Sequence, residues 1–303
     1  MSNQLKKGIG LALMTMVISG FSNYVNKIAV MKIDPVLHTT IKNSLVFIMI
    51  GGFYMLFNRR HSISKLTRAD KLRLILIGII GGGVPFYLFF TALVNVSAIN
   101  AALIHKSLIF WVILLAIPYL KERINIFHII GVVLLFGSNF LIGGFSGFKF
   151  SLPELMILSA TILWAIESIV AKRTLKHVDP TVMVAARMGI GALILLLITV
   201  LTGKLSVAPS LSLNQWALTI MTSFLLFGYV MTWYRALKYA PVITVASILV
   251  GATLITNILT AIIDTKNLAL YNWQPSIIVI SGLLFILLGT FRSNIATNKK
   301  LQQ

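Results

Sequence analysis

The chain has 303 residues, of which 58% are hydrophobic and 11% are charged, and its mean hydropathy is +0.94. These values lie far outside the range of soluble globular domains and predict an integral membrane protein with several spans. The formal net charge of +19 would suggest a nucleic-acid partner in a soluble chain. Here the cations are dispersed over six short loops, so we expect no nucleic-acid partner. The absence of cysteine excludes disulfides and thiolate metal sites.

Ten apolar segments follow one another along the chain, and each has the length of a helix that crosses a bilayer. They cover residues 8–30, 36–57, 72–94, 98–119, 125–143, 152–172, 180–202, 214–237, 241–263 and 273–291. Runs of this length are not barrel strands, because those would show about ten residues of alternating hydrophobicity. The first segment is too long for a signal peptide and is expected to be retained. The sequence therefore predicts an all-α integral membrane protein with ten transmembrane helices.

The loop cations set the expected orientation. The loops and termini on one side carry 18 Lys and Arg residues, and those on the other side carry 5. By the positive-inside rule both termini are cytoplasmic, in a multi-pass protein of the cell membrane whose surroundings are the lipid bilayer. The architecture is compatible with a monomer.

A short pattern occurs twice at a constant offset of 145 residues. The matches are Lys27 with Lys172, Asp34-Pro35 with Asp179-Pro180, and Lys42 with Arg187. We therefore divide the chain into two five-helix repeats, residues 1–145 and 146–303. Since five is odd, the second repeat enters the membrane from the opposite side, and inverted repeats of this kind place a binding site near the midplane between the halves.

Further residues carry a family resemblance in combination. They are Ala92-Leu93, Leu120-Lys121-Glu122-Arg123, Gly131 and Gly137 in the first half, and Ala236-Leu237, Pro241, Gly282 and Gly289 in the second. With these residues the chain resembles the EamA-type branch of the drug/metabolite transporter superfamily over residues 8–291. The resemblance implies a ten-helix basket of two inverted repeats that moves small metabolites, often amino acids or related compounds, and often outward.

Two places depart from the family pattern. Many relatives carry a proline early in helix 4, where this chain has Ser107 behind His105-Lys106. The second Glu motif is replaced by Asp264-Thr265-Lys266. These departures bear on the substrate rather than on the fold.

Charged side chains inside spans cost about 2.5–3.5 kcal/mol each at the helix centre, so they usually face a cavity or a partner. Glu167 and Arg187 lie at similar depth and are able to pair, either as a fixed ion pair or in gating and proton coupling. Lys42 has Ser22 rather than an acid at the position that matches Glu167. That lysine either receives a substrate carboxylate or phosphate, or snorkels to the outer headgroups.

His105 and Lys106 occupy helix 4 at a depth similar to that of Lys42. Because a free imidazole titrates near neutrality, His105 is, with Glu167, a candidate for proton coupling; an interhelical hydrogen bond is its other interpretation.

Polar and aromatic residues surround these charges. The polar set, which either lines a path or joins helices, is Ser22, Asn23, Asn26, Asn100 and Ser168. The aromatic set, which either cages an apolar substrate portion or packs, is Phe86, Tyr87, Phe89, Phe90, Tyr229, Trp233 and Tyr234. In helix 3, Gly81-Gly82-Gly83 with Pro85 predicts a break, and Gly82, Gly83 and Pro85 are hinge candidates, with close helix packing as the alternative.

We therefore expect a secondary transporter of small polar metabolites, most of all amino acids or related compounds, working by alternating access. The predicted cavity residues are Asn23, Lys42, Phe86, Phe90, His105, Lys106, Glu167, Arg187, Trp233 and Tyr234. Two alternatives are an exchanger of organic phosphates or nucleotide sugars that uses Lys42, Lys106 and Arg187, and a flippase for lipid-linked sugars. A catalytic set, an ATP-binding motif and a metal cluster are absent from the sequence, so we expect neither an enzyme nor a cofactor or metal.

Overall fold

The structure is a computed structural model that describes residues 3–57, 66–142, 147–263 and 273–301. Within these ranges the chain is helical and contains no strand. The helices are α1 (Asn3–Val30), α2 (Pro35–Phe57), α3 (Arg68–Ile77), α4 (Val84–Leu93), α5 (Ala98–Lys106), α6 (Leu108–Leu120), α7 (Ile126–Gly137), α8 (Leu152–Thr174), α9 (Pro180–Leu201), α10 (Leu213–Tyr239), α11 (Val242–Val250), α12 (Ala252–Ile263) and α13 (Gln274–Leu301). A π-helix, Gly78–Gly83, joins α3 to α4, and 3-10 turns occur at Ser138–Ile142 and Lys204–Ser210.

In the part of the chain that the structure describes, nine helical segments are long and apolar enough to cross a membrane. They match nine of the ten predicted spans. The predicted fifth span is a shorter apolar helix, Ile126–Leu141. The chain is a multi-pass integral membrane protein. The predicted motif Asp264-Thr265-Lys266 lies outside the described residues.

The repeated Asp-Pro pair begins a helix in each half. The Asp34 carboxylate accepts hydrogen bonds of 3.0 Å from the N–H groups of Val36 and Leu37 at the start of α2. Asp179 accepts one of 2.8 Å from Thr181 at the start of α9. In both helices proline is the first residue, where its missing N–H has no partner to lose and its fixed φ suits the helix. The repeated dipeptide is therefore a helix start signal.

Three spans are interrupted in their middle. The π-helix lies within the span Arg68–Leu93, at the run of glycines that precedes Pro85. In the fourth span α5 ends and α6 begins at Ser107, and in the ninth α11 ends and α12 begins around Gly251. Ser107 and Gly251 differ by 144 residues, so the two breaks occupy matching places in the halves.

The helices of one half pack largely against those of the other. The main pairings are α1 with α10, α2 with α9, α7 with α13, α4 with α8 and α6 with α8. If each helix is exchanged for its counterpart in the other half, the α2–α9 and α7–α13 pairs are unchanged. The α1–α10 pair becomes the pair of α8 with the third span, which is also present. This pattern is expected of two copies of one structural unit, and a cavity lies between the halves.

Candidate functional site

The cavity has a volume of about 160 Å³ and receives side chains from both halves of the chain. Its lining combines one carboxylate, three Lys or Arg cations, one histidine and six aromatic rings with serine and asparagine groups. The residues that give it this character are Ser22, Asn23, Asn26, Lys42, Phe86, Phe89, Phe90, His105, Lys106, Trp164, Glu167, Ser168, Arg187, Tyr229 and Trp233.

Lys42 of α2 points into the protein. Its Nζ donates a hydrogen bond of 3.0 Å to Asn26 Oδ1 and lies 4.2 Å from the ring centroid of Phe90. The residue is only 2% exposed. These contacts contradict snorkelling to the outer headgroups, because a snorkelling ammonium would lie at the helix end in water. The structure instead places this cation on the cavity wall.

Glu167 of α8 and Arg187 of α9 are both buried at the cavity, but they do not form an ion pair within 4.0 Å. Glu167 Oε1 instead accepts a hydrogen bond of 2.5 Å from the Tyr234 hydroxyl. The Arg187 guanidinium lies 5.5 Å from the ring centroid of Phe86 and 5.9 Å from that of Tyr234, and its Nε has no hydrogen-bond partner. The fixed ion pair, one of the two interpretations of these residues, is therefore not formed: a tyrosine holds the acid, and two rings face the cation.

His105 lies between two rings at the end of α5. Its ring centroid is 5.2 Å from that of Phe89 and 5.1 Å from that of Trp164, and its Nδ1 has no hydrogen-bond partner. The interhelical hydrogen bond that the sequence suggested as one interpretation is thus not formed by this nitrogen. The adjacent Lys106 donates a hydrogen bond of 2.5 Å from Nζ to Asn139 Oδ1.

The π-helix brings the third span close to α9 and offers free carbonyls to its neighbours. Pro85 has no N–H to bond the Gly81 carbonyl, which accepts a hydrogen bond of 3.0 Å from Trp164 Nε1 instead. The Gly82 carbonyl accepts one of 3.1 Å from Asn43 Nδ2. These bonds give partners to backbone carbonyls that cannot hydrogen-bond to water inside a membrane.

Nine of the ten predicted cavity residues line this one cavity. The tenth, Tyr234, reaches it through Glu167. Of the predicted polar set, Asn100 lies elsewhere, because its amide donates to Glu154 at 2.7 Å and to the Gly147 carbonyl. Tyr87 is likewise outside the lining.

Sequence reasoning missed two residues that shape the site. Trp164 precedes Glu167 by three residues and so shares its helix face, which is a signal that was available. Asn139, the partner of Lys106, gave no signal, because it is an ordinary polar residue near the end of a span. Among the described residues no cluster of three or more His, Asp or Glu side chains is able to hold a metal ion.

Comparison with known proteins gives relatives that are transporters by family or by name. The model of the EamA-like transporter family matches residues 6–144 and again residues 151–288. A protein of Clostridium kluyveri described as an uncharacterized transporter is 22% identical over 98% of this chain and 95% of its own length. Another, from Methanothermobacter thermautotrophicus, is 25% identical over 48% of this chain, and the match spans 45% of that relative.

A known crystal structure has the same fold. It superposes with a TM-score of 0.78 at 15% identity and covers 95% of this chain and 98% of its own. Because the family model matches most of the chain in two consecutive copies, the protein belongs to the EamA-like transporter family, within the drug/metabolite transporter superfamily.

Proposed function

We propose that this membrane transporter carries amino acids or closely related zwitterionic metabolites across the cell membrane by alternating access. The observation that carries the proposal is the central cavity, where the first half contributes two lysines and the second half an arginine and a glutamate, beside aromatic rings from both halves. An α-amino acid carries an ammonium and a carboxylate on the same carbon, and a cavity with cations and a carboxylate is able to match both groups.

The walls suit a side chain that is apolar in part. Tyr229 and Trp233 stack with ring centroids 6.0 Å apart, and Phe86 and Phe90 stack at the same separation. Aromatic faces accept both apolar groups and cationic ammonium groups. The volume of about 160 Å³ suits a small metabolite rather than a large headgroup.

The movement that alternating access requires has a candidate location in the third span. Ten spans in two inverted repeats with cytoplasmic termini would place the cavity near the midplane. The π-helix ends at Gly82 and Gly83, with Pro85 two residues after its end, and it lacks the regular bonding of an α-helix. We propose these three residues as the hinge.

Proton coupling is part of the same proposal. Glu167 and His105 are the acid and the imidazole on the cavity lining. We expect an inward proton gradient to stimulate transport by the parent but not by Glu167→Gln. Equal insensitivity of both proteins to a pH gradient would remove proton coupling from the proposal.

A second candidate follows from the cation excess on the cavity wall. Lys42, Lys106 and Arg187 face a single carboxylate, Glu167. This balance favours an anion, and an organic phosphate would use all three cations.

Counterflow in proteoliposomes separates the candidates. Proteoliposomes would be prepared with the parent, with Lys106→Gln and with the exposed-loop control Lys32→Gln. They would be loaded with pooled amino acids or with pooled organic phosphates, and the exchange of radiolabelled substrate would be measured. We expect exchange of amino acids. Exchange of phosphates alone, lost in Lys106→Gln and kept in Lys32→Gln, would replace the proposed function. Exchange of neither pool would contradict both candidates and favour a lipid-linked substrate.

A further inference from the structure

The two halves of the chain carry a cation at matching positions but an acid at only one of them. Lys42 and Arg187 differ by 145 residues, and so do Ser22 and Glu167. In the second half the acid, Glu167, and the cation, Arg187, both pack against Gly81 of the third span. A Cβ atom built on Gly81 would be 2.7 Å from Glu167 Cγ and 3.0 Å from Arg187 Nε. In the first half the corresponding acid is missing.

The first half fills the missing position with a short polar chain. Asn26 Nδ2 donates to Ser22 Oγ at 2.9 Å and to the Ser22 carbonyl at 2.8 Å, which turns Asn26 Oδ1 toward Lys42 Nζ. An ammonium has three N–H donors. Among the described residues Lys42 Nζ has one hydrogen-bond acceptor, this amide oxygen. No carboxylate of the described residues lies within 4.0 Å of it.

A buried ammonium without a counter-charge is costly unless something supplies the opposite charge. Lys42 lines the cavity, so a ligand is able to reach it. The rings around it give partial compensation, since its Nζ lies 4.2 Å from the Phe90 centroid and 5.9 Å from the Phe86 centroid. One full negative charge would complete the site.

We propose that Lys42, with Asn26 and Ser22, is the subsite for the carboxylate of the substrate. The substrate then supplies in the first half the acid that Glu167 supplies in the second. One ammonium flanked by rings and an amide matches the single charge of a carboxylate better than the double charge of a phosphate. This inference rests on the proposed function and adds to it the orientation of the zwitterion.

Ligand binding to the purified full-length protein in nanodiscs tests the subsite. Thermal stabilisation by each of the twenty L-amino acids would identify the best binder. Its affinity would then be compared with those of its carboxamide and of the amine that lacks the carboxyl group. Because hydrogen bonds to charged groups contribute about 1.5–3 kcal/mol, we expect the parent to bind the amino acid about 10- to 100-fold more tightly than either analogue. Lys42→Gln should lose this preference and Lys32→Gln should keep it.

Asn26→Asp offers a near-isosteric second variant. It places a carboxylate where Oδ1 already contacts Lys42 Nζ. This carboxylate should form an ion pair with Lys42 and so compete with the carboxylate of the substrate. We expect weaker binding of the amino acid with binding of the amine retained or improved, which a misfolded protein would not show.

The outcomes separate the subsite from the function. If the parent binds amino acids but does not distinguish them from the carboxamide and the amine, or if Lys42→Gln keeps the preference, the subsite is wrong and the proposed function stands. If no amino acid stabilises the parent and counterflow shows no exchange of amino acids, the proposed function is wrong and the subsite falls with it.

Discussion

The Tyr234 hydroxyl donates a hydrogen bond of 2.5 Å to Glu167 Oε1, and both residues are almost fully buried. The bond joins α10 to α8 and holds the carboxylate at the cavity beside Arg187.

Removing the hydroxyl should destabilise the protein. Tyr234→Phe leaves a buried carboxylate oxygen without its donor, and such a loss costs about 1–3 kcal/mol. Thermal unfolding in detergent measures the effect. Tyr229→Phe is the matched control, because no hydrogen bond of its hydroxyl occurs among the described residues. Equal melting temperatures for the two variants would contradict the structural role of the bond.

The sequence predicted the helices better than their contacts, for a physical reason. A lipid environment forces apolar segments into helices, so hydropathy and length locate them. Side-chain partners depend on how each helix is rotated about its axis and on what packs beside it. Glu167 and Tyr234 are 67 residues apart, and Trp164 and Gly81 are 83 apart. No spacing rule joins such positions.

The cavity lining was nonetheless largely predictable. Charges inside a span are costly unless they meet at a polar place, and this condition applies to Lys42, Lys106, Glu167 and Arg187 alike. What could not be predicted was whether the acid at position 167 pairs with Arg187 or with a neutral donor, because both are within reach at that depth. The break at Ser107 also lacked a signal such as proline.

A methyl group on Gly82 should prevent the close approach of the third span and α9. A Cβ there would overlap the backbone carbonyl oxygen of Arg187 and lie 3.2 Å from Gly191 Cα. Overpacking of this kind typically costs about 1–3 kcal/mol, and here backbone rather than a flexible side chain must move. We expect Gly82→Ala to lower the melting temperature and the transport rate, because α9 carries Arg187.

Gly52→Ala is the control for this substitution. No atom lies within 4 Å of a Cβ at Gly52, so alanine should be neutral or slightly stabilising there, by up to about 1 kcal/mol. A loss of stability in Gly52→Ala equal to that in Gly82→Ala would show that the contact between the third span and α9 is unimportant.

Asp34 has two roles that substitutions should separate. Its Oδ1 caps α2, and its Oδ2 accepts a hydrogen bond of 2.7 Å from Lys204 Nζ. The ion pair is partly exposed and should contribute at most about 1 kcal/mol, whereas loss of a helix cap costs about 0.5–2 kcal/mol. We therefore expect Asp34→Ala to destabilise more than Lys204→Gln, with Asp34→Asn close to the parent because asparagine also caps. Chemical denaturation would compare the three, and an equal loss in Lys204→Gln and Asp34→Ala would give the ion pair the larger role.

Glu122 joins the two halves at the turn between α10 and α11. Its carboxylate accepts hydrogen bonds from the N–H groups of Val242 and Ile243, at 2.7 and 3.0 Å. Burial raises the pKa of Glu122 above its usual 4.5, although these bonds and the nearby Lys172 ammonium oppose that rise.

The raised pKa predicts the sign of a pH dependence. Between about 4.5 and the higher folded-state pKa, the folded protein keeps a proton on Glu122 that the unfolded chain has released. The stability that this group contributes is therefore present at low pH and decreases as pH rises through that window. Glu122→Gln stays neutral and should lack this dependence. The melting temperature of Glu122→Gln minus that of the parent should therefore increase as pH rises from 4 to 7. Lys121→Gln changes charge at the neighbouring exposed position and should follow the parent. Parallel curves for the parent and Glu122→Gln would mean that the folded and unfolded states hold the Glu122 proton equally well, and the burial of this carboxylate would then have no energetic consequence.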